Sequence, residues 1–240
     1  GALIIDLNKW GLENALIEKT DGATLYMTRD IAAAIDRYKK YKFDRMLYEV
    51  GQEQKLHFRQ LFKILELMGY NWAKNCAHIE HGLYLDSKGK KFSTRKGKTV
   101  FLEEIIKKTK SLAEKEIKKR AGKISKAELE KRSLRVAIAA IFYGDLKNNR
   151  KSDVVFDINK FVSFEGDTGP YLMYSYARAS SILRKSKTDL KKFELEDLEE
   201  KEINLVKKLS QFPETVIAAS KTLNPSVIAN YSYQLAQVFN

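Results

Sequence analysis

A stretch from Phe43 to Val50 that reads as a strand, closed by Gly51 and followed at once by a helix-period run from about Glu53 to Met68, constrains this chain more than any other. Phe58, Leu61, Phe62, Leu65 and Met68 recur at helical spacing and predict the buried stripe of that helix. Strand, glycine, helix is half of a βαβ unit. In sheets built from such units, ligands bind beyond the carboxyl ends of the strands, which is where Gly51, Gln54 and His57 fall. Two of these residues also have plainer roles available: Gln54 as an exposed first-turn residue, His57 as a partly buried, hydrogen-bonded histidine.

The flanking sequence extends this pattern. Ala2 to Asp6 reads as a short buried strand, and Thr24 to Met27 as another strand after the Asp21-Gly22 turn. A helix then begins near Ile31, with Thr28 or Asp30 placed to cap it. His78 to Asp86 is β-like. Helical periodicity returns from Glu103 to about Lys119 and from about Lys126 to Tyr143, where Leu134, Ile138, Ile141 and Phe142 form the expected core face. Phe156 to Pro170 reads as a linker. Pro170 suits the first position of a helix running to about Lys185, and the tyrosines of that helix are expected to bury their rings. An acidic stretch, Glu194 to Glu202, opens a helix ending near Phe212. Pro213 and Pro225 each start one more, the last with an apolar stripe of Ile228, Tyr231, Leu235 and Val238. The fold class expected is α/β over residues 1–155, then all-α over 156–240.

Charge and chemistry narrow the function. The formal net charge is +13, which points to a polyanionic partner, RNA or DNA before a membrane surface. No apolar run is long enough to span a bilayer. The single cysteine, Cys76, excludes an intrachain disulfide and fits a reducing compartment. With His78 and His81 it makes a poor metal set, because residues 76 and 78 share a strand face that residue 81 does not, and no second cysteine is present. Between Lys107 and Arg135 twelve Lys and Arg face four Glu; this is either a solvated face or a surface that tracks phosphates. The densest charge lies in Lys88-Gly89-Lys90-Lys91-Phe92-Ser93-Thr94-Arg95-Lys96-Gly97-Lys98. That stretch is a solvated turn or a loop able to wrap an anion with backbone amides, hydroxyls and cations. It is not a P-loop, since no Gly-Lys-Ser/Thr opens a helix there.

Lys91-Phe92-Ser93-Thr94-Arg95 resembles the Lys-Met-Ser-Lys-Ser loop of class I aminoacyl-tRNA synthetases, in the Ser-Thr-Arg form of the arginyl-tRNA synthetases. Three further stretches, in the same order as in that family, are similar to it: Asp21-Gly22-Ala23-Thr24-Leu25-Tyr26-Met27-Thr28-Arg29-Asp30-Ile31-Ala32, then Val50-Gly51-Gln52-Glu53-Gln54 with His57-Phe58, then Phe164-Glu165-Gly166-Asp167-Thr168-Gly169-Pro170-Tyr171 with Tyr176-Ala177-Arg178. The resemblance covers nearly the whole chain. It implies the second half of a Rossmann-like class I catalytic domain followed by part of a helical anticodon-binding domain, with the first half of the nucleotide fold lying outside this sequence.

The implied activity is ATP-dependent activation of L-arginine and its transfer to tRNA(Arg), with Mg²⁺ accompanying ATP, in a cytoplasmic, monomeric protein. On this reading the chain alone does not activate arginine. Tyr26, Asp30 and Gln54 would hold the guanidinium, a planar fork of donors that a carboxylate matches in a bidentate pair. Gly51, Gln52, His57, His81, Gly82 and Lys96 would lie near ATP. Lys91, Ser93 and Arg95 would carry the catalytic charge stabilisation, with the cation that replaces the family's second Lys left open among Lys91, Arg95 and Lys96. Tyr171, Tyr174 and Arg178 would face tRNA. The alternatives are a class I synthetase for another amino acid and a basic helical RNA-binding module without catalysis.

Overall fold

The structure, a computed structural model, describes residues 1–86, 89–91, 101–120, 122–157, 163–186 and 198–240. The chain divides into two compact units, Gly1–Gly82 and Leu83–Asn240.

In the first unit β1 (Leu3–Ile5) pairs antiparallel with β2 (Ala15–Glu18). Helix α1 (Tyr26–Tyr41), β3 (Met46–Gly51), α2 (Lys55–Leu67) and β4 (Cys76–His81) follow. The expected half of a βαβ unit is completed here. β3 and β4 run parallel in unbroken register from Met46↔Cys76 to Gly51↔His81, with α2 in the crossover. Parallel neighbours cannot be joined by a tight turn, so a helix must span the return. One face of α2 buries Phe58, Leu61, Ile64 and Leu65 against Leu7, Leu12, Ala15, Met27, Ala34, Trp72 and Ala73. At about 1.5–3 kcal/mol for each large apolar side chain removed from water, this cluster is the main stabilising term of the unit. Tyr38 stacks on Trp72 at 4.9 Å and Phe43 meets both rings edge-on. Together they close the cluster at the far end of α1.

Four expectations change in this unit. The first strand is not buried: among the described residues it has only β2 beside it, and Leu3 and Ile4 are exposed. Thr24 to Met27 is not a strand: Tyr26 and Met27 open α1, and Met27 begins an apolar stripe that Ile31, Ala34, Ile35 and Tyr38 continue at helical spacing. Neither Thr28 nor Asp30 caps that helix. The N-cap is Leu25, without a side-chain bond, and the Thr28 hydroxyl instead donates to the Ile17 carbonyl at 2.5 Å, tying α1 to β2. Met68 follows the last turn of α2 and is exposed; Ile64 takes the core position expected of it.

The β-like run from His78 to Asp86 is two strands in different units, broken at Gly82-Leu83. In the second unit β5 (Tyr84–Leu85) pairs parallel with β6 (Val154–Val155). Helices α3 (Leu102–Arg120) and α4 (Lys126–Leu146) form a hairpin, Ser125 capping α4 by accepting from the Glu128 amide. Helices α5 (Gly169–Ser186), α6 (Glu200–Ser210), α7 (Phe212–Thr222) and α8 (Ser226–Phe239) complete the unit. The predicted linker and acidic stretch fall partly outside the described residues, at 158–162 and 187–197.

The predicted core face of α4 is wrong. Leu134 and Ile138 lie on its exposed side and Phe142 is 63% exposed. Leu129, Ser133, Val136, Ala137, Ala140, Tyr143 and Gly144 are buried instead. Small residues win that face because they let α5 come close: a Cβ on Gly169 would sit 2.2 Å from the Ala139 carbonyl oxygen. In α8, Tyr231 is buried as expected, but Ala236 rather than Ile228 or Val238 accompanies it.

Gly169→Ala is therefore expected to destabilise the chain by about 2 kcal/mol, since backbone must move to admit the methyl. Gly122, with open space around its Cβ position, serves as the control; its change to Ala should be neutral within about 0.5 kcal/mol. Urea midpoints check this, and equal midpoints for the two variants would contradict the close approach of α4 and α5.

Candidate active site

The candidate residues of the first unit gather at the carboxyl end of the parallel pair. Gly51 ends β3 opposite His81, the last residue of β4. Its φ of −54° is open to any residue, so the glycine is not required for backbone freedom. The Glu53 carboxylate folds back to within 2.5 Å of where a Cβ would sit. Gln52, Glu53 and Gln54 form one 3-10 turn that feeds α2. Gln54 is the N-cap of α2 and its side chain caps nothing among the described residues, which leaves the amide available to a ligand.

Helix α1 reaches this end through one bond. His57 Nε2 lies 2.7 Å from Asp30 Oδ2, across 27 residues of sequence. Tyr26 sits four residues before Asp30, on the same helical face, with its ring 79% exposed. Gln54 sits three residues before His57. One bond thus brings together the elements that carry Tyr26, Asp30, Gln54 and His57. The sequence carried no sign of it, because the partners belong to different helices.

Partner chemistry assigns the tautomers of all three histidines. An ionised carboxylate and a carbonyl only accept, so the ring nitrogen facing each must carry the proton. His57 donates from Nε2 to Asp30. His78 donates from Nε2 to the Val50 carbonyl at 2.9 Å. His81 donates from Nδ1 to the Gly82 carbonyl at 2.9 Å, which leaves its Nε2 for another partner. Phe58 links two of these rings, edge-on to His57 at 5.4 Å and stacked on His78 at 4.6 Å. His78 is therefore a structural clamp between β4 and β3; among the described residues there is no group of three potential metal-ligating side chains.

In the second unit the basic stretch begins as a tight hairpin. Asp86 organises it: its carboxylate accepts from the Lys90 amide at 2.9 Å, its carbonyl from the Gly89 amide at 2.9 Å, and its amide donates to the Lys90 carbonyl at 2.8 Å. Gly89 supplies the positive φ of 72° that the reversal requires. Lys91 returns beside Leu85 in an antiparallel bridge. Ser93, Arg95 and Lys96 lie outside the described residues.

Along the basic stretch of α3 and α4 the glutamates are neutralised by neighbours. Lys110 pairs with Glu130 at 3.0 Å, Lys119 with Glu116 at 2.6 Å and Arg132 with Glu128 at 2.6 Å. These hydrogen bonds hold all three carboxyls below the usual glutamate range. Of the candidate RNA-facing residues on α5, Tyr174 is exposed, contrary to the expectation that these rings are buried, and so is Tyr176. Tyr171 is half-buried against Tyr233, and Arg178 donates to the carbonyl and side-chain oxygens of Asn240. At the head of α5, Asp167 takes a bond from the Tyr143 hydroxyl at 2.5 Å and an ion pair from Lys147 at 3.2 Å. Sequence reading did not single out that cluster.

A βαβ unit with candidate ligand groups at its strand ends, followed along the chain by a basic helical unit, fits a class I tRNA synthetase. The catalytic-domain family described as "tRNA synthetases class I (R), catalytic domain" matches residues 1–158, and the DALR anticodon binding domain matches residues 172–240. The chain belongs to the arginyl-tRNA synthetase family. It is 44% identical to an arginine–tRNA ligase of Halothermothrix orenii and 46% identical to one of Ligilactobacillus salivarius; each match covers 100% of this chain and 42% of the relative. The chain thus spans about two fifths of the length of these curated relatives. Its structure superposes on Thermus thermophilus arginyl-tRNA synthetase with a TM-score of 0.86 at 25% identity, over 100% of this chain and 45% of that one. The expected family and its α/β-then-helical fold are borne out.

Burial pushes the Cys76 thiol up to about 11 from its ordinary 9.0. Only the thiolate attacks disulfide reagents, so at pH 8 the native chain should react with Ellman's reagent on the order of 100-fold more slowly than the urea-unfolded chain. The same shift stabilises the fold below pH 9 and is lost as pH rises toward 11, because the unfolded thiol ionises first. Equal native and unfolded reaction rates would show that Cys76 is accessible and ionised.

Proposed function

We propose that this chain provides the arginine-recognition groups, part of the ATP site and the phosphate loop of an arginine–tRNA ligase, which activates L-arginine with ATP and Mg²⁺ and passes it to tRNA(Arg). The observation that supports this best is the anchored carboxylate of Asp30, with Tyr26 on the same face of α1 and Gln54 at the head of α2. A guanidinium presents five N–H groups in one plane. Asp30 accepts two of them, and the oxygens of Tyr26 and Gln54 accept others. Lysine, with a compact ammonium, cannot occupy the same plane of acceptors.

In this reading Gly51, Gln52, His81 and Gly82 flank ATP at the strand ends, where His81 has Nε2 to offer. The head of α2, which carries no side-chain cap, adds a favourable partial charge for phosphate. Mg²⁺ arrives with the nucleotide. The arginine carboxylate attacks the α-phosphorus while the bond to the bridging oxygen breaks, and pyrophosphate leaves with the electron pair. Lys91, Ser93 and Arg95, with Lys96 beside them, stabilise the charge that grows on the leaving group. The rest of the reaction is positioning. Residues 1–155 form the catalytic portion and 156–240 the anticodon-binding portion. Tyr171, Tyr174 and Arg178 on α5 face tRNA. The protein works as a monomer in the cytoplasm.

The full-length protein should catalyse arginine-dependent ATP–pyrophosphate exchange; exchange driven by another amino acid in place of arginine overturns the assignment. Asp30→Asn should lower kcat/KM for arginine by on the order of 10² to 10³, or about 3–4 kcal/mol, because one charge-assisted pair is lost. Lost thermal stability with unchanged kinetics would make Asp30 structural. Lys91→Ala and Arg95→Ala should lower kcat more than they raise KM for arginine, since they act on charge that appears only in the transition state. An unchanged kcat with a higher KM for ATP would assign them to ground-state binding.

A further inference from the structure

We infer that His57 is a positioning residue for arginine recognition: it sets the Asp30 carboxylate for the guanidinium and is not a nucleotide contact. The inference rests on the functional reading above and deepens it. Asp30 lies on α1 with its side chain 39% exposed. An aspartate in that setting samples several rotamers and turns its carboxylate toward water. A bidentate guanidinium pair requires both oxygens in one plane, in one orientation, before the substrate arrives. Among the described residues, the bond to His57 Nε2 at 2.7 Å is the contact that fixes that plane.

The anchor is itself held. His57 is 21% exposed and sits in the first turn of α2, with its ring edge-on to Phe58. Phe58 is 5% exposed and stacks on His78, which is bonded to the backbone of β3. Asp30 is thereby braced against the parallel pair through α2. The donated proton uses one lone pair of Oδ2 and leaves Oδ1 and the second lone pair of Oδ2 for the substrate. While His57 is neutral, the pair keeps a net charge of −1, complementary to the guanidinium. A neutral donor at the position of Nε2 is all this role requires. Glutamine places its amide nitrogen at a similar reach from Cα, asparagine falls short, and alanine removes the donor.

The test uses the full-length protein and measures arginine-dependent ATP–pyrophosphate exchange, with citrulline, the uncharged ureido analogue, as the competing amino acid. His57→Ala and His57→Asn are expected to raise KM for arginine about 10- to 100-fold and to narrow the preference for arginine over citrulline. KM for ATP should stay within about twofold. His57→Gln should recover most of the loss. In a double-mutant cycle, adding His57→Ala to Asp30→Asn should cost little more than Asp30→Asn alone, because His57 acts through Asp30.

A raised KM for ATP with an unchanged KM for arginine overturns the inference and returns His57 to the nucleotide. So do fully additive losses in the cycle, or a lowered melting temperature with both KM values unchanged. If His57→Ala does not fold, the cycle is run with His57→Gln and His57→Asn, where loss in the second without the first still decides the matter. A wild-type protein without arginine-dependent exchange overturns the functional reading and this inference together. Normal exchange that is insensitive to His57 overturns this inference alone.

Discussion

The parallel pairing of β3 with β4 is the constraint on which the first unit depends. Six residues of each strand stay in register, and parallel pairing leaves no short way back, so α2 must cross over and pack on the pair. That crossover buries Phe58, Leu61, Ile64 and Leu65. It also delivers the head of α2, with Gln54 and His57, to the strand ends beside Gly51 and His81. The apolar face that stabilises the unit and the polar turn that offers groups to a ligand belong to the same helix, one turn apart.

Recognition of a planar cation adds a second requirement, which is orientation. Acidic residues are abundant on this surface, and several pair with a lysine or arginine three or four residues away on the same helix, as Glu128 does with Arg132. Such exposed pairs contribute little stability. Asp30 differs because its partner comes from another helix and is itself packed on the core. The helical unit solves a different problem. A close approach there, Gly169 against Ala139, puts the head of α5 directly on α4, and the Tyr143–Asp167–Lys147 cluster secures the same junction. There burial and the bond to Asp167 push the Tyr143 hydroxyl far above the ordinary tyrosine range, so it stays a donor at any physiological pH.

Much of this was legible in the sequence where local pattern decides structure. The strand, glycine and helix from Phe43 to Met68, the hairpin of α3 and α4, and the proline-led helices α7 and α8 follow from periodicity and capping. β2 escaped notice because four residues, three of them apolar in succession, carry no alternation. Thr24 to Met27 misled because two apolar residues two apart fit a strand as well as the start of a helix. Only the stripe continuing to Tyr38 distinguishes them. On α4 apolar bulk does not mark the core, because the close approach to α5 selects alanine, serine and glycine. Motif resemblance singled out Asp30 and His57 separately, yet their bond depends on how α1 and α2 pack, which no local pattern records.

The most direct measurement is a crystal structure of the full-length protein with L-arginine and a non-hydrolysable ATP analogue. The account predicts the guanidinium nitrogens within about 3 Å of the Asp30 carboxylate, with His57 Nε2 still on Oδ2 and the nucleotide phosphates making no contact with His57. Arginine bound away from Asp30, or His57 turned from Asp30 to the nucleotide, would contradict it.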